Sequence, residues 1–219
     1  MNKLFGAAAD ARLAEAWDTL FSQDPANQQI IHVLTRPIEF PTALTGFLPF
    51  EAWLRNGCKA DAEVWRAFAE IATPWAYIRN ARRAVALGIP NVRIFVLERD
   101  GWESAPLWLQ YLAEVHIPAI AALAGETLYR VWLEDCQRSG LPARVCDVNL
   151  WGAAGVMLTG YQNGDVEWRA FLDDDPGPGL SSEEHDFVVS VHDFAFAQGE
   201  LVTLPSELQI PPVEEGIRH

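Results

Sequence analysis

The second half of the chain places an apolar residue at nearly every second position, which is the spacing of β-strands and not of helices. Four successive segments carry this pattern: TLYRVWLED, ARVCDVNLW, AGVMLTGY and DVEWRAFL. The last two are joined through Asn163-Gly164, the strongest short signal for a hairpin turn. Because consecutive strands are usually neighbours in a sheet, this half of the chain predicts a largely antiparallel sheet.

The first half has mainly helical spacing. Helices are predicted over Ala8 to Phe21, Asp61 to Ala72, Trp75 to Gly88 and Pro106 to Leu123. Pro118 predicts a kink or a break in the last of these, because proline cannot donate the helical hydrogen bond. Two β-rich segments interrupt the helices, at Ile30 to Thr35 and at Asn91 to Glu98.

Together these patterns predict an α+β fold, with a largely antiparallel sheet of about five strands packed with helices and an N-terminal helical extension. The loop that contains Pro37, Pro41 and Pro49 suggests a boundary. The predicted division is residues 1–48 as an extension of helix and strand, residues 49–204 as the main α+β domain, and residues 205–219 as an irregular acidic tail.

The charge of the chain is concentrated near its end. The net charge is −14, and the segment from Tyr161 to His219 has thirteen acidic and two basic residues, a net charge of −11. This balance argues against direct nucleic-acid binding, which depends on Lys and Arg. The acids either keep the protein soluble or form a surface for a basic protein partner. The candidate partner-binding residues are Asp173, Asp174, Asp175, Asp186 and Asp193.

Common catalytic and cofactor motifs are missing from the sequence. It lacks G-x-G-x-x-G, G-x-x-x-x-G-K-[ST], G-x-S-x-G and H-E-x-x-H, so no cofactor, metal site or catalytic residue is predicted. Cys58, Cys136 and Cys146 are far apart without a C-x-x-C pair, which favours reduced thiols and a cytoplasmic location. No apolar run reaches the roughly 20 residues that span a membrane. The oligomeric state stays open.

A group of arginines offers an alternative to the acidic surface. Arg79, Arg82 and Arg83 fall within about one helical turn, and Arg93 lies on the next strand. Guanidinium groups bind carboxylate or phosphate in a bidentate manner, although in a chain this acidic they also find carboxylates of their own. The sequence therefore favours a non-catalytic acidic binding protein of a regulatory, immunity-like or inhibitor-like kind. The alternative is an enzyme or small-ligand sensor with an arginine-lined pocket for an anion.

The segment EEHDFVVSVHDFAF, residues 183–196, predicts an amphipathic closing helix, with a strand over VVSVHDFAF as the alternative. Asp186 and Asp193 share its polar stripe, and the adjacent apolar face carries Phe187, Val191 and Phe194. The repeated His-Asp-Phe does not predict a metal site, because histidines seven residues apart on a helix are separated by roughly 10 Å.

From about Phe50 to Ala197 the order of features carries a series of short motifs. They are ARRAVALGIPNVRIFVLE, Tyr111-Leu112, Ala124-Gly125-Glu126, Asp147-Val-Asn-Leu-Trp151, Gly155-Val-Met and Phe171-Leu-Asp-Asp before a final helix. In this order the chain resembles an uncharacterised bacterial domain family that is often encoded near helix-turn-helix regulators. The inserted CQRSGLPARVC and the long N-terminal segment depart from that pattern. The resemblance implies a fold order and a regulatory or mobile-element setting, and it brings no catalytic residues.

Overall fold

A computed structural model describes residues 3–35, 39–144, 146–162, 165–172 and 180–208. Within these residues helices pack on both faces of one sheet, so the predicted α+β class is confirmed. The strands are β1 (Leu4–Phe5), β2 (Ile30–Thr35), β3 (Asn91–Leu97), β4 (Thr127–Trp132), β5 (Asp147–Trp151), β6 (Val156–Gln162), β7 (Asp165–Phe171) and β8 (Glu200–Leu201). The helices are α1 (Gly6–Ser22), α2 (Leu48–Arg55), α3 (Ala62–Ala72), α4 (Ala76–Ala86), α5 (Leu107–Tyr111), α6 (Ile117–Ala124), α7 (Leu133–Arg138) and α8 (Leu180–Gln198).

The sheet is mixed, with the strand order β1-β7-β6-β5-β2-β3-β4-β8. Strands β2, β3 and β4 are parallel, whereas β5, β6 and β7 form an antiparallel meander that joins β2 through β5. The prediction of about five largely antiparallel strands was therefore wrong in number and in pattern. Long helical crossovers bring β3 and β4 back in parallel, and the two-residue edge strands are too short to show a period.

The N-terminal segment belongs to this sheet and its core. Strand β2 lies between β5 and β3, and its Ile30, Ile31 and Val33 are buried. Helix α1 places Trp17 and Leu20 in the same apolar cluster as residues of α3 and α4. Residues 4–35 are thus an integral part of the sheet and not an extension to it, because an apolar strand with both faces covered is stable only inside a sheet.

The two faces of the sheet carry different cores. Helix α8 covers one face, where Val188 and Val191 join a cluster that includes Val33, Val148 and Leu150. Helices α1, α4 and α6 cover the other face. The predicted closing helix is confirmed as α8, and its predicted apolar residues, Phe187, Val191 and Phe194, are buried.

The segment Leu107–Ala124 is one nearly continuous helix in which a π-helical turn, Leu112–His116, separates α5 from α6. The Ile117 N–H donates to the Leu112 carbonyl, five residues back. The predicted break at Pro118 thus takes the form of a local change in hydrogen bonding. The segment is long and apolar enough by composition to cross a membrane, but 67% of it is buried inside the protein. It is therefore consistent with the core helix of a soluble protein.

Candidate functional site

A cavity of about 490 Å³ opens on the sheet face that α1, α4 and α6 cover. Sites for small molecules usually have volumes of roughly 300–1,000 Å³ and mix apolar walls with a few polar groups. The apolar lining includes Trp75, Leu112, Ile117, Ile120 and Met157. The polar lining includes His32, Thr35, Tyr77, Arg93, Asp147, Asn149, Thr159, Tyr161, Asp165 and Arg169. Both requirements of a small-molecule site are met in one place.

Strand register brings the polar lining together. His32 of β2 is paired with Arg93 of β3 and with Asn149 of β5. Asp147 of β5 is paired with Thr159 of β6. Side chains of paired residues leave the sheet on the same face, so four neighbouring strands present a continuous polar row to the cavity.

A buried ion pair lies beneath one end of this row. Arg93 Nε lies 2.5 Å from Glu126 Oε2, and Arg93 Nη2 lies 3.1 Å from Glu126 Oε1. The side chains are only 8% and 0% exposed. Two parallel N–H···O contacts make a bidentate, charge-assisted pair. The positive charge of Arg93 is therefore already matched by a carboxylate inside the protein.

Tyr77 of α4 connects the ion pair to His32. Arg93 Nη2 donates to Tyr77 Oη at 2.6 Å, and Tyr77 Oη donates to Glu126 Oε1. His32 Nε2 lies 2.9 Å from the same phenolic oxygen, and His32 Nδ1 lies 3.0 Å from Asn149 Oδ1. An amide oxygen can only accept, so the neutral imidazole carries its proton on Nδ1. His32 Nε2 and Glu126 then compete for the single phenol proton.

Burial sets the charge states in this network. Burial, together with the charge of Arg93, lowers the pKa of His32 to about 4. Burial alone would raise the pKa of Glu126, but Arg93 holds that pKa below its usual value. Burial raises the pKa of Tyr77 well above its usual value. At neutral pH His32 is neutral, Glu126 is ionised and Tyr77 keeps its proton.

Asp147 is the second buried acid of the cavity, and it is held by neutral donors. The Thr35 N–H and hydroxyl donate to its Oδ1 at 2.8 and 3.2 Å, and the Tyr161 hydroxyl donates to its Oδ2. Asp147 as a whole is only 3% exposed. Burial raises the pKa of Asp147 to about 6, although these hydrogen bonds and Arg93 oppose the rise. A carboxyl group that titrates near neutral pH inside a cavity is typical of functional sites.

Two buried polar atoms of lining residues have no hydrogen-bond partner within the described part of the chain. They are the indole Nε1 of Trp151 and Nδ1 of His116. Trp151 packs edge-on against His32, with ring centroids 5.3 Å apart. An unsatisfied buried donor or acceptor costs about 1–3 kcal/mol, which a bound molecule with a matching polar group would offset.

The four arginines predicted from the sequence do not come together. Arg79 donates to the Pro74 carbonyl, Arg82 Nε donates to the Leu123 carbonyl at 2.6 Å, and Arg83 lies over the Phe21 ring at 4.1 Å. Of these four arginines, only Arg93 lines the cavity. The other three bind to their own protein on the surface of α4.

The predicted acidic residues divide into two groups. Asp173, Asp174 and Asp175 lie outside the described residues. Asp186 and Asp193 have side chains 82% and 75% exposed on α8, across the sheet from the cavity. Among the described residues no group of three His, Cys, Asp or Glu side chains could hold a metal ion.

A smaller cavity of about 270 Å³ lies on the α8 face of the sheet. Its lining is mainly apolar, with Val33, Val96, Leu141 and Val191 among its residues. It lacks the row of buried hydrogen-bonding groups that orients a ligand. The larger cavity is therefore the better candidate for a specific site.

Sequence reasoning missed most of the residues around the larger cavity. His32, Tyr77, Glu126 and Asn149 come from separate segments, and only the tertiary structure makes them neighbours. One local signal existed, because Asp147 and Asn149 alternate with Val148 and Leu150 in a strand that is buried at every position. Polar residues on one face of a fully buried strand are costly unless they are paired or functional.

Comparison with known proteins identifies no relative of this chain. No family model, no curated protein and no solved structure matches it. The resemblance to a bacterial domain family stays a prediction, and the case for a function depends on the site itself.

Proposed function

We propose that this protein binds a small organic molecule in the 490 Å³ cavity, as a ligand sensor or as an enzyme. The observation that carries the proposal is a buried Asp147 that faces a cavity of ligand size and, among the residues that the structure describes, is held by neutral donors alone. A fold gains no stability by burying such a group, since a desolvated carboxylate is costly without a charged partner. Binding of a molecule by Asp147 would explain why the fold keeps a carboxylate that is costly to desolvate.

The lining supports an amphipathic ligand. Trp75 and Met157 offer apolar contact, while Asp147, Thr159 and Tyr161 offer hydrogen bonds. This proposal develops the sequence-based alternative of an enzyme or small-ligand sensor. It differs in the expected charge of the ligand, because Glu126 already neutralises Arg93.

The expectation of a basic protein partner is a separate proposal. The exposed Asp186 and Asp193 on α8 would support it, as they lie on the face away from the cavity. The three free cysteines support a reducing compartment such as the cytoplasm.

Thr159→Phe tests the cavity, because Thr159 lies in its polar floor and a phenyl ring there would fill it. A thermal-shift screen of small metabolites against the natural protein should yield ligands that raise the melting temperature. A ligand at 100 times its Kd contributes about 2.7 kcal/mol, which is about 5–10 °C for a domain of this size. Thr159→Phe should abolish these shifts.

Thr127→Phe is the matched control, since Thr127 is an exposed strand residue outside the cavity lining. It should leave the shifts unchanged. Equal responses of the natural protein and Thr159→Phe to every ligand found would contradict binding in this cavity.

A further inference from the structure

The charges that line the cavity do not compensate one another. Its two basic residues each have a carboxylate of their own: Arg93 is paired with Glu126, and Arg169 Nη1 lies 3.0 Å from Asp10 Oδ1. Its two acidic residues, Asp147 and Asp165, have no ion pair with any residue that the structure describes. Counting each ion pair as neutral leaves two carboxylates facing the cavity.

Both carboxylates are held by neutral donors. Asp165 accepts from the Thr42 and Ala43 N–H groups, each at 3.1 Å, and from the Thr42 hydroxyl. Asp147 accepts from Thr35 and Tyr161. Such donors orient a carboxylate without removing its charge. A carboxylate offers about four lone-pair sites, and the three donors at Asp147 leave one for a ligand.

The aromatic residues of the lining are suited to contact with a positively charged ligand. Trp75, Tyr77, Phe95, Trp151 and Tyr161 contribute aromatic rings. The negative faces of aromatic rings attract cations as well as apolar groups. An anion would meet the opposite conditions, because it would approach two carboxylates that form no ion pair with the described residues, while both arginines are already engaged.

We infer that the ligand of this cavity is a cationic amine on an apolar or aromatic body, with its ammonium group bound by Asp147 and steered by Asp165 at the rim. This inference depends on the proposed function and adds the chemical class of the ligand. The ammonium donates one hydrogen bond to Asp147, and the aromatic body lies against Trp75 and Met157.

The pH dependence of binding follows from the groups around Asp147. The hydrogen bond from Tyr161 and the charge of Arg93 lower its pKa, and Cys146 precedes it in the chain. His32 lies on the neighbouring strand β2, and Arg169 lies on β7, one strand beyond β6. Burial lowers the pKa of His32 to about 4, so His32 is neutral from pH 5 to 8. Burial opposes the charge of Arg93, but Glu126 holds the pKa of Arg93 above its usual value, so Arg93 stays charged over the same range. Of His32, Arg93, Tyr161 and Asp147, Asp147 is thus the group whose charge changes there, and the affinity for an amine should rise from pH 5 to pH 7.5.

Three indole compounds of nearly equal shape provide the test: tryptamine, tryptophol and indole-3-acetate, which are cationic, neutral and anionic at pH 7.5. Isothermal titration should give tryptamine an affinity at least tenfold above that of tryptophol, with indole-3-acetate weakest, as a charge-assisted hydrogen bond implies. Asp147→Asn should remove the preference for tryptamine and leave tryptophol binding within about twofold.

Two further variants and a pH series of the natural protein test the inference even if Asp147→Asn fails to fold. Asp165→Asn, at the exposed rim, should weaken tryptamine by about two- to threefold, in keeping with the small effect of exposed charges. Asp186→Asn on α8 is the matched control and should change nothing. In the natural protein, tryptamine affinity should fall at least threefold between pH 7.5 and pH 5.5 while that of tryptophol stays constant.

Equal or tighter binding of tryptophol or indole-3-acetate, unchanged in Asp147→Asn, would overturn the amine inference and leave the ligand-binding proposal in place. Binding of none of the three compounds, together with thermal-shift results that Thr159→Phe does not alter, would overturn the proposed function as well.

Discussion

At the residue scale, the bidentate pair of Arg93 and Glu126 links the stability of the fold to the arrangement of the cavity. Both side chains are almost fully removed from water, so each charge depends on the other. The pair also holds Tyr77, and through it His32, in position beside the cavity. Its role is therefore structural support of the site, while its charges cancel.

Glu126→Gln should lower the free energy of unfolding by about 3–5 kcal/mol, because it leaves the guanidinium of Arg93 buried without a counter-charge. Urea denaturation at pH 7 measures this. Asp10→Asn is the matched control: it breaks the Arg169–Asp10 pair, whose Asp10 side chain is 75% exposed, and should cost less than about 1 kcal/mol. Similar losses of unfolding free energy in the two variants would show that burial does not make the fold depend more strongly on an ion pair.

At the element scale, the β6–β7 hairpin contains an irregularity beside the site. The strand register shifts between Gly160 and Tyr161, and the Trp168 ring lies against Gly160. Bulges of this kind often redirect side chains near functional sites. Here the irregularity directly precedes Tyr161, whose hydroxyl donates to Asp147. Because Gly160 has no side chain, the Trp168 ring can pack directly against the backbone of the hairpin.

Gly160→Ala should destabilise the protein by about 1–3 kcal/mol, since a Cβ atom there would overlap the Trp168 ring and force it to move. Thermal or urea unfolding of the variant and the natural protein measures this difference in stability. In a Trp168→Leu background the same change should cost less than about 1 kcal/mol, because the smaller side chain can yield. An equal cost in both backgrounds would rule out the ring as the cause.

At the scale of the whole molecule, acid stability is a sum over a few buried groups. His32 and His116 both have their pKa lowered to about 4 by burial. Both histidines therefore take up a proton at a higher pH in the unfolded chain than in the folded protein. The free energy of unfolding falls as the pH drops from about 6.5 towards 4. Asp147 acts in the opposite direction: its raised pKa adds stability as the pH drops from about 6. The pKa of Glu126 is lowered, so Glu126 adds to the loss at the acidic end. The two histidines and Glu126 outweigh Asp147, and acidification brings a net loss of stability.

His116→Phe should reduce this acid sensitivity. The His116 ring already packs among Phe47, Phe68 and Trp75, so phenylalanine suits the position. Between pH 6.5 and 4.5 the loss of unfolding free energy should be about 2–3 kcal/mol smaller in the variant. Urea denaturation at several pH values measures the slope. Parallel curves for the variant and the natural protein would mean that His116 does not take up a proton on unfolding.

Local patterns were sufficient for most individual elements. The period of apolar residues located α1, α3, α4, α8 and the central strands, because burial of one face imposes that period on the sequence. Asp61 accepts from the N–H groups of Glu63 and Val64 at the start of α3, and Gly125 ends α6 in a left-handed conformation. These are short-range effects, so the sequence alone reveals them.

Strand order and the site were decided by the tertiary structure. Nothing local distinguishes a parallel β3 from an antiparallel one, because the choice depends on how long helical connections cross the sheet. His32, Glu126 and Asp147 are each unremarkable in the sequence, and they acquire their shifted pKa values only from burial and from neighbours distant in the chain. The sequence by itself determined the class of fold and the net charge of −14, while long-range packing determined the mixed sheet, the cavity and the chemistry inside it.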